Sequence, residues 1–445
     1  MRRYERAGVA VAPVLIPKDG LDLSKWAVVA CDQYTSQPEY WQRVDALVGD
    51  APSTLRLIYP EVYLEEDDPD TRIRSIHDAM GHYLREGVLE PFDGMVYVER
   101  EAAGTVRRGI VLCVDLERYD YTKGSTSLIR ATEGTILERI PPRVRIRRGA
   151  PLELPHIMIL IDDPGDTVIG PLTAVKHGLR QLYDVDLMMS SGHLAGFGVA
   201  DLGLEEATAA ALARLADPSV FREKYGLTGD VPVLLHAMGD GNHSLATAKA
   251  IWEQVKQDAG GLAAVAESPA RFALVEIVNL HDEALEFEPI HRVLFGLRPS
   301  PGPDDEMRRH FGDRLSLSPS PSLEEMTTAV DAGGPGVHRI GLVDSDGYRV
   351  MEVREPASNL SVGTVQGFLD DLMARKGAAK IDYVHGLQPV HDLGRARGNL
   401  GIYLPAMSKH ELFRTVILDG ALPRKTFSMG EAHEKRFYLE CRRLG

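Results

Sequence analysis

Residues 239–244 read Gly-Asp-Gly-Asn-His-Ser, and no other segment of the chain concentrates as many chemically capable groups. Gly239 and Gly241 permit tight or left-handed turns and let a ligand approach the backbone closely. The other members are an acid, an amide, a titratable base and a hydroxyl: Asp240, Asn242, His243 and Ser244. These residue types at this spacing favour a site for an anion such as phosphate.

Two elements must position this turn. Residues 231–238 predict a short buried strand, and residues 244–252 predict an amphipathic helix. A helix N-terminus offers free backbone N–H groups and the positive end of the helix dipole, so a strand, a glycine turn and a helix start together form an anion site. The alternative is a turn in which Asp240 and Asn242 only cap the helix.

Two carboxylates follow the first strand candidate, at residues 26–30. They are Asp32, and Glu39 at the start of a helix that Pro38 opens. A carboxylate in such a position can accept a proton from a substrate or orient a metal ion. Either carboxylate could equally complement the helix dipole.

A third polar segment, residues 130–135, contains Thr132, Glu133 and Thr135 around a glycine. Here the two threonines could contact phosphate and Glu133 could hold a magnesium ion, although a capped turn fits as well. Further along, His291 and Arg292 follow a proline, and a guanidinium group can bind phosphate through two parallel hydrogen bonds.

The composition excludes several classes of protein. Hydrophobic residues make up 44% of the 445 residues, and the formal net charge of −15 argues against a nucleic-acid-binding protein. The one cationic cluster, residues 143–148, alternates like a strand with one charged face. No apolar run of about twenty residues predicts a membrane span. Three widely spaced cysteines without a paired Cys-x-x-Cys pattern predict a cytoplasmic protein without disulfides or structural zinc.

The pattern of elements predicts a mixed α+β chain. Helices are expected at 70–86, 205–217 and 245–257, and strands at 94–99, 108–115, 157–161 and 271–280. Residues 340–343 and 349–353 flank Asp-Ser-Asp-Gly and predict a hairpin. A proline-rich segment at 298–304 is the best linker, so we predict two domains, 1–297 and a smaller α+β domain at 298–445.

Several segments, in the same order, resemble the uncharacterised family known as domain of unknown function 1015. That family shows a Pro-Tyr-Asp-Val-type turn, a His-Glu-x-Thr turn, an Asp-Asp-Pro turn, an Asp-Gly-His-His-Arg motif and a Pro-Thr-His-Arg turn. The corresponding stretches are residues 30–34, 132–135, 162–164, 240–244 and 289–292, and later elements resemble residues 383–386 and 422–427.

The Asp-Gly-x-His core also resembles the phosphate-binding turn of the ParB/sulfiredoxin fold, whose members include nucleotide-dependent free serine kinases with a glutamate base. The resemblance therefore implies a ParB/sulfiredoxin-like fold for residues 1–297. Asn242 stands where sulfiredoxins have cysteine, so no sulfinic-acid reductase chemistry is expected. Ser244 replaces the arginine of family 1015, and Arg292, Lys249 or residues 143–148 are the candidates to supply that cation.

These observations lead to the hypothesis of a small-molecule phosphotransferase that uses ATP or ADP with Mg²⁺, free serine being the first candidate acceptor. In it the 239–244 turn, with Thr132, Thr135, His291 and Arg292, binds nucleotide phosphates. His243 contacts the transferred phosphoryl group, Asp32 or Glu39 deprotonates the hydroxyl, and Glu133 and Asp240 hold magnesium. A nucleotide-binding regulatory module without turnover, or a phosphate-releasing hydrolase, is the alternative. The oligomeric state is left open, a homo-oligomer being one option.

Overall fold

The computed structural model describes residues 1–65 and 68–444, which divide into two compact units. Unit 1 comprises Met1–Leu285 and Glu431–Gly445, and unit 2 comprises Glu286–Gly430. The sequence-based boundary at 297/298 therefore falls inside unit 2. The last segment of the chain, which the sequence assigned to the second domain, belongs to unit 1.

The strands, in chain order, are β1 (Arg2–Tyr4), β2 (Val9–Val11), β3 (Val14–Pro17), β4 (Val28–Val29), β5 (Leu89–Phe92), β6 (Met95–Ala102), β7 (Thr105–Asp115), β8 (Tyr119–Asp120), β9 (Ile129–Arg130), β10 (Leu152–Glu153), β11 (Met158–Ile161), β12 (Arg180–Asp186), β13 (His193–Val199), β14 (His236–Asp240), β15 (Phe272–Asn279), β16 (Glu288–Phe295), β17 (Leu315–Ser320), β18 (Val337–Asp344), β19 (Gly347–Arg354), β20 (Lys380–His385), β21 (Leu400–Tyr403), β22 (Phe427–Ser428), β23 (Phe437–Tyr438) and β24 (Arg442–Arg443).

The α-helices are α1 (Leu23–Trp26), α2 (Pro38–Val48), α3 (Pro69–Arg85), α4 (Ile140–Arg147), α5 (Gly170–Val175), α6 (Leu202–Leu215), α7 (Pro218–Tyr225), α8 (Asn242–Asp258), α9 (Leu262–Val265), α10 (Pro303–Phe311), α11 (Leu323–Asp331), α12 (Ser361–Ala374), α13 (Leu387–Gly394) and α14 (Lys409–Asp419). Among the described residues no helix combines the length and apolar character that a membrane crossing requires.

Unit 1 is built on a mixed sheet in the order β12-β13-β6-β7-β15-β11-β14-β9-β8, with β2 also pairing β7 and β1 pairing β2. Alternate residues of its central strands point to opposite faces. Val111 and Leu274 join one hydrophobic cluster together with Trp26 and Trp41. Leu112 joins another, on the face where α8 packs through residues including Leu245 and Trp252. Because both faces are covered, the central strands are almost continuously apolar.

Unit 2 has its own antiparallel sheet, in the order β17-β19-β18-β21-β16-β20, with β22 pairing β16. The hairpin predicted from the sequence is β18 and β19, which pair from Val337↔Arg354 to Asp344↔Gly347. Together the two units confirm the mixed α+β class.

Two local predictions were wrong. Residues 143–148 form most of helix α4 rather than a strand, because Pro141 and Pro142 stand in its first turn, where proline favours helix initiation. The strand predicted at 231–238 begins only at His236. Pro232 has no N–H to donate. The Arg130 guanidinium donates hydrogen bonds to the carbonyl oxygens of Pro232 and Val233 at 2.9 and 3.2 Å, so these oxygens do not pair with a strand.

Candidate active site

Sheet register brings three distant segments to one edge of unit 1. Strands β9 and β14 are parallel, with His236 opposite Ile129, so their carboxyl ends lead into residues 132–135 and the 239–244 turn side by side. Strand β11 runs antiparallel to β14, with Met158 opposite Asp240. The residues before β11, including His156, therefore lie beside the same turn.

Helix α8 begins without a side-chain cap. Its N-cap is Gly241, with φ 75° and ψ 27°, and within residues 1–65 and 68–444 it has no side-chain cap hydrogen bond. A Cβ atom on Gly241 would lie 3.0 Å from Ile157 Cα, so both the left-handed backbone and the close packing favour glycine. Neither Asp240 nor Asn242 acts as the cap that the alternative interpretation required. Among the described residues, the N-terminus of this 17-residue helix therefore has no side-chain cap.

Asp240 forms an ion pair with a residue near the end of the chain. Its Oδ2 atom lies 3.1 Å from Lys435 Nζ, and its Oδ1 atom accepts the Gly241 N–H at 2.9 Å. Burial alone would raise the pKa of Asp240, but the Lys435 ammonium and the Gly241 N–H outweigh it and hold the pKa below its ordinary value. The site thus has a cation that the sequence did not point to.

Asn242 ties the turn to the polar segment after β9. Its Nδ2 atom donates to Thr135 Oγ1 at 3.2 Å and approaches the Glu133 carbonyl oxygen at 3.5 Å. Thr132 is different, because its buried hydroxyl donates to the Met238 carbonyl oxygen at 2.8 Å. Thr135 therefore lies at the turn, whereas the Thr132 hydroxyl holds two strand ends together.

His243 has a ring nitrogen whose hydrogen bonding is unsatisfied. Within the described ranges, Nε2 is buried and has no hydrogen-bond partner. Burial lowers the pKa of His243 to about 4, helped by the positive charges of Arg143 and Arg139 and opposed by Asp32. The ring is therefore neutral at pH 7 and can donate one hydrogen bond in surroundings of positive potential.

Ser244 starts a hydrogen-bonded chain of side chains. Its Oγ atom lies 2.7 Å from His156 Nε2, and His156 Nδ1 lies 2.8 Å from the Tyr438 hydroxyl. That hydroxyl also accepts the Cys31 N–H at 3.1 Å. His156 and Tyr438 were not identified from the sequence.

The two candidate bases differ in their surroundings. Asp32 is half-buried, accepts a hydrogen bond from Gln33 at 3.0 Å and opposes the lowering of the pKa of His243. Glu39 is exposed in the first turn of α2, and in the part of the chain that the structure describes its carboxylate has no partner. Of the two, the structure associates Asp32 with the 239–244 turn.

The remaining candidate cations form hydrogen bonds or ion pairs with neighbouring protein groups. His291 and Arg292 lie on β16 of unit 2, where the Arg292 guanidinium donates to the carbonyl oxygens of Arg424 and Lys425 at 3.1 and 3.0 Å. Burial, with help from Arg292, lowers the pKa of His291 to about 4, so its ring is neutral. In unit 1, Lys249 donates to the Leu116 carbonyl oxygen and pairs with a glutamate on its own helix.

Metal ligation finds little support in the side chains alone. Across residues 1–65 and 68–444, no cluster of three or more histidine, cysteine, aspartate or glutamate side chains is placed to hold a metal ion. Both carboxylate oxygens of Asp240 already accept donors. Glu133 contributes its carbonyl oxygen to the contact with Asn242. The assignment of Glu133 and Asp240 as magnesium ligands therefore stays a prediction.

Fold and site together define a mixed α+β protein with an uncapped, cation-flanked helix N-terminus. The chain belongs to the family described as protein of unknown function (DUF1015), whose model matches residues 15–372. No curated protein matches it. The family description assigns no activity.

Several solved structures are remotely similar to this chain. A free serine kinase variant in complex with ADP is 10% identical, with a TM-score of 0.38, over 76% of this chain and 92% of that one. A conserved hypothetical protein from Pyrococcus furiosus is 10% identical, with a TM-score of 0.34, over 74% and 93%. SbnI with a C-terminal truncation, from Staphylococcus aureus, is 9% identical, with a TM-score of 0.35, over 72% and 82%.

Proposed function

We propose that this protein is a nucleotide-dependent phosphotransferase that acts on a small hydroxylated metabolite. The observation that carries the proposal is His243 Nε2, a buried polar atom without a partner among the described residues, at a helix N-terminus without a side-chain cap. Leaving such an atom unsatisfied costs roughly 1–3 kcal/mol, so a protein keeps one where a ligand supplies the missing partner. A phosphate oxygen satisfies both the ring nitrogen and the backbone N–H groups.

The charges around the turn suit a polyphosphate. Lys435 forms an ion pair with Asp240. The positive charges of Arg139 and Arg143 help to lower the pKa of His243. Cations and aligned N–H groups that neutralise the transferred phosphoryl group supply most of the catalysis in such reactions. ATP is the first donor to test and ADP the second.

The transfer needs a base near the acceptor. In our proposal the acceptor oxygen forms a bond to the terminal phosphorus, the bond from that phosphorus to the bridging oxygen breaks, and the shortened nucleotide leaves. The hydroxyl proton passes to the carboxylate of Asp32, with Glu39 as the second candidate. Neutral His243 donates a hydrogen bond to the transferred group.

Magnesium enters the proposal only with the nucleotide. Mg²⁺ at such sites is commonly held by one or two carboxylates together with substrate phosphates. Glu133 and Asp240 are the candidates for that contribution, but no step here depends on the ion.

The finer assignments belong to the same proposal. We assign unit 1 a ParB/sulfiredoxin-like fold, and free serine, the acceptor that the family resemblance implies, is included among the acceptors to test. The three cysteines, Cys31, Cys113 and Cys441, are unpaired, which favours the reducing cytoplasm.

Phosphorus NMR tests the proposal directly. The protein is incubated with ATP or ADP, Mg²⁺ and a pool of amino acids and simple alcohols, and a new phosphate ester is expected. Asn242→Asp adds a negative charge at the first turn of α8 with almost no change of shape, and should abolish ester formation and nucleotide binding. Gln254→Glu adds the same charge on an exposed position of the same helix and is the matched control.

Three outcomes contradict the proposal in different ways. Tight nucleotide binding without any ester identifies a regulatory module. Phosphate release without an ester identifies a hydrolase. Equal nucleotide affinity in the two variants removes the 239–244 turn from the binding site altogether.

A further inference from the structure

A cavity of about 140 Å³ lies in unit 1 next to the first turn of α8. Its walls are mostly apolar and include Leu57, Ile76, Met80, Ile146, Leu152 and Leu274. Ser244, His156 and Tyr438 form part of the lining. The cavity and the 239–244 turn therefore share Ser244.

Three polar side chains of the lining are hydrogen-bonded in a row. Ser244 Oγ, the His156 ring and the Tyr438 hydroxyl are linked at 2.7 and 2.8 Å. Thr247, one turn further along α8, donates its hydroxyl to the His243 carbonyl oxygen at 2.7 Å. A ligand hydroxyl placed here has Ser244 and Thr247 as its partners on α8, while most of the remaining lining is apolar.

The charged groups of the lining are paired with one another. Arg143 is paired with Glu61, and Arg147 with Glu153. An amino-acid zwitterion would lose water around both of its charges and would have to break one of these pairs to replace it. An uncharged ligand avoids that cost.

We propose that this cavity holds the apolar body of the phosphoryl acceptor, and that the acceptor is an uncharged alcohol of about the size of benzyl alcohol rather than serine. The identity of the occupant as an acceptor rests on the proposed function. Apolar cavities of about 150 Å³ bind benzene, so this cavity has room for the ring of such an alcohol. Because Ser244 belongs both to the cavity and to the first turn of α8, the hydroxyl of the occupant lies beside the phosphate-binding N-terminus. Ser244 is then a positioning residue for the acceptor oxygen.

Binding is measured first without nucleotide. Saturation-transfer NMR and calorimetry with benzyl alcohol should detect binding that an excess of serine does not displace. Ala150→Leu adds three carbons to the cavity wall and should weaken benzyl alcohol binding at least tenfold. Ala46→Leu makes the same change at an exposed position and should leave binding unchanged. Serine binding that Ala150→Leu does not alter would overturn the inference.

Two further variants do not depend on filling the cavity. Ile146→Ala enlarges it and should shift the preference from benzyl alcohol to 2-naphthylmethanol. Ser244→Ala should remove the preference for benzyl alcohol over toluene without weakening toluene binding. A Ser244→Ala variant that keeps the alcohol preference contradicts the positioning role.

Turnover then separates this inference from the proposed function. Phosphorylation of benzyl alcohol, lost in Ala150→Leu, supports both. If the variants change alcohol binding but no phosphate ester forms, the cavity remains a binding site. The proposed function and the acceptor role then both fail. Phosphorylation of serine at the same rate in Ala150→Leu and in the unmodified protein retains the proposed function, and the cavity inference fails.

Discussion

Replacing His243 by phenylalanine should make the protein more stable and its nucleotide binding weaker. The ring keeps nearly the same volume, but Nε2, which is buried without a partner in the described part of the chain, disappears. Removing an unsatisfied buried polar atom returns roughly 1–3 kcal/mol of unfolding free energy. The gain should already be present at pH 8, where the imidazole is neutral in the folded and unfolded states.

The stability gain should increase in acid. Burial, with the help of Arg143 and Arg139, lowers the pKa of His243 from 6.5 to about 4. Between these two values the unfolded chain binds a proton that the folded protein does not, so the unfolding free energy falls as the pH decreases from 6.5 towards 4. At pH 5 this one group accounts for about 1–2 kcal/mol, after a discount for its partial exposure. His243→Phe should not show that part of the loss.

Nucleotide affinity should change in the opposite direction. Loss of one hydrogen bond to a charged phosphate costs about 1.5–3 kcal/mol, or roughly 10- to 150-fold in Kd. Urea unfolding at pH 8 and pH 5, together with calorimetric titration of ADP, measures both effects. A variant that is less stable at pH 8 and loses as much stability in acid as the unmodified protein would refute the reasoning.

His236→Phe is the matched control. His236 is fully buried on β14, its pKa is also lowered to about 4 by burial, and its Nε2 atom is paired with the Ala7 carbonyl oxygen at 2.9 Å. Phenylalanine here leaves the Ala7 carbonyl oxygen unpaired, which costs about 1–3 kcal/mol at pH 8. It also removes His236 Nδ1, which is buried without a partner among the described residues, so the net loss should be smaller than that cost alone. Its ADP affinity should not change. Equal behaviour of the two variants would mean that the free nitrogen of His243 has no special role.

Three further predictions follow from the site. Asp32→Asn should reduce the rate of ester formation at least 100-fold with little change in nucleotide affinity, whereas Glu39→Gln should reduce it less than threefold; the reverse order would make Glu39 the base. Lys435→Met should weaken ADP binding about 10-fold or more in low salt, and Lys256→Met, in the last turn of α8, should not; equal losses would indicate a general effect of net charge. Thr132→Val should lower the urea midpoint without changing ADP affinity, and a selective loss of affinity would return Thr132 to the binding site.

The sequence predicted those elements that have a strong period or a clear end signal. The helices at 70–86, 205–217 and 245–257 and the strand at 271–280 appear as α3, α6, α8 and β15, each within a few residues. The strand at 231–238 was predicted too long because the prediction rested on its apolar residues and did not consider that Pro232 has no N–H group to donate. Residues 143–148 were predicted to form a strand because charged residues alternate there with a period of two. Pro141 and Pro142, however, indicate a helix start.

The turn itself could be predicted, but its neighbours could not. Glycines and polar residues between a strand and a helix predict a turn and an anion site at residues 239–244 without any tertiary information; the structure confirms the strand, the turn and the helix start. His156 lies beside the turn because strand β11, which follows it, pairs antiparallel with β14. Lys435 contacts Asp240 although it is almost two hundred residues further along the chain. One signal was available for His156, a lone polar residue directly before the apolar strand β11. Nothing local marks Lys435, because its role depends on contacts that only folding creates.

The return of Glu431–Gly445 to unit 1 means that the candidate site is completed only by the last residues of this sequence to be synthesised. Lys435 and Tyr438 belong to the site, yet they leave the ribosome after the whole of unit 2. A nascent or prematurely terminated chain can carry the 239–244 turn and still lack the cation beside Asp240 and the hydroxyl beside His156. In the proposed phosphotransferase, nucleotide binding would therefore reach its full strength only after translation has passed the second unit.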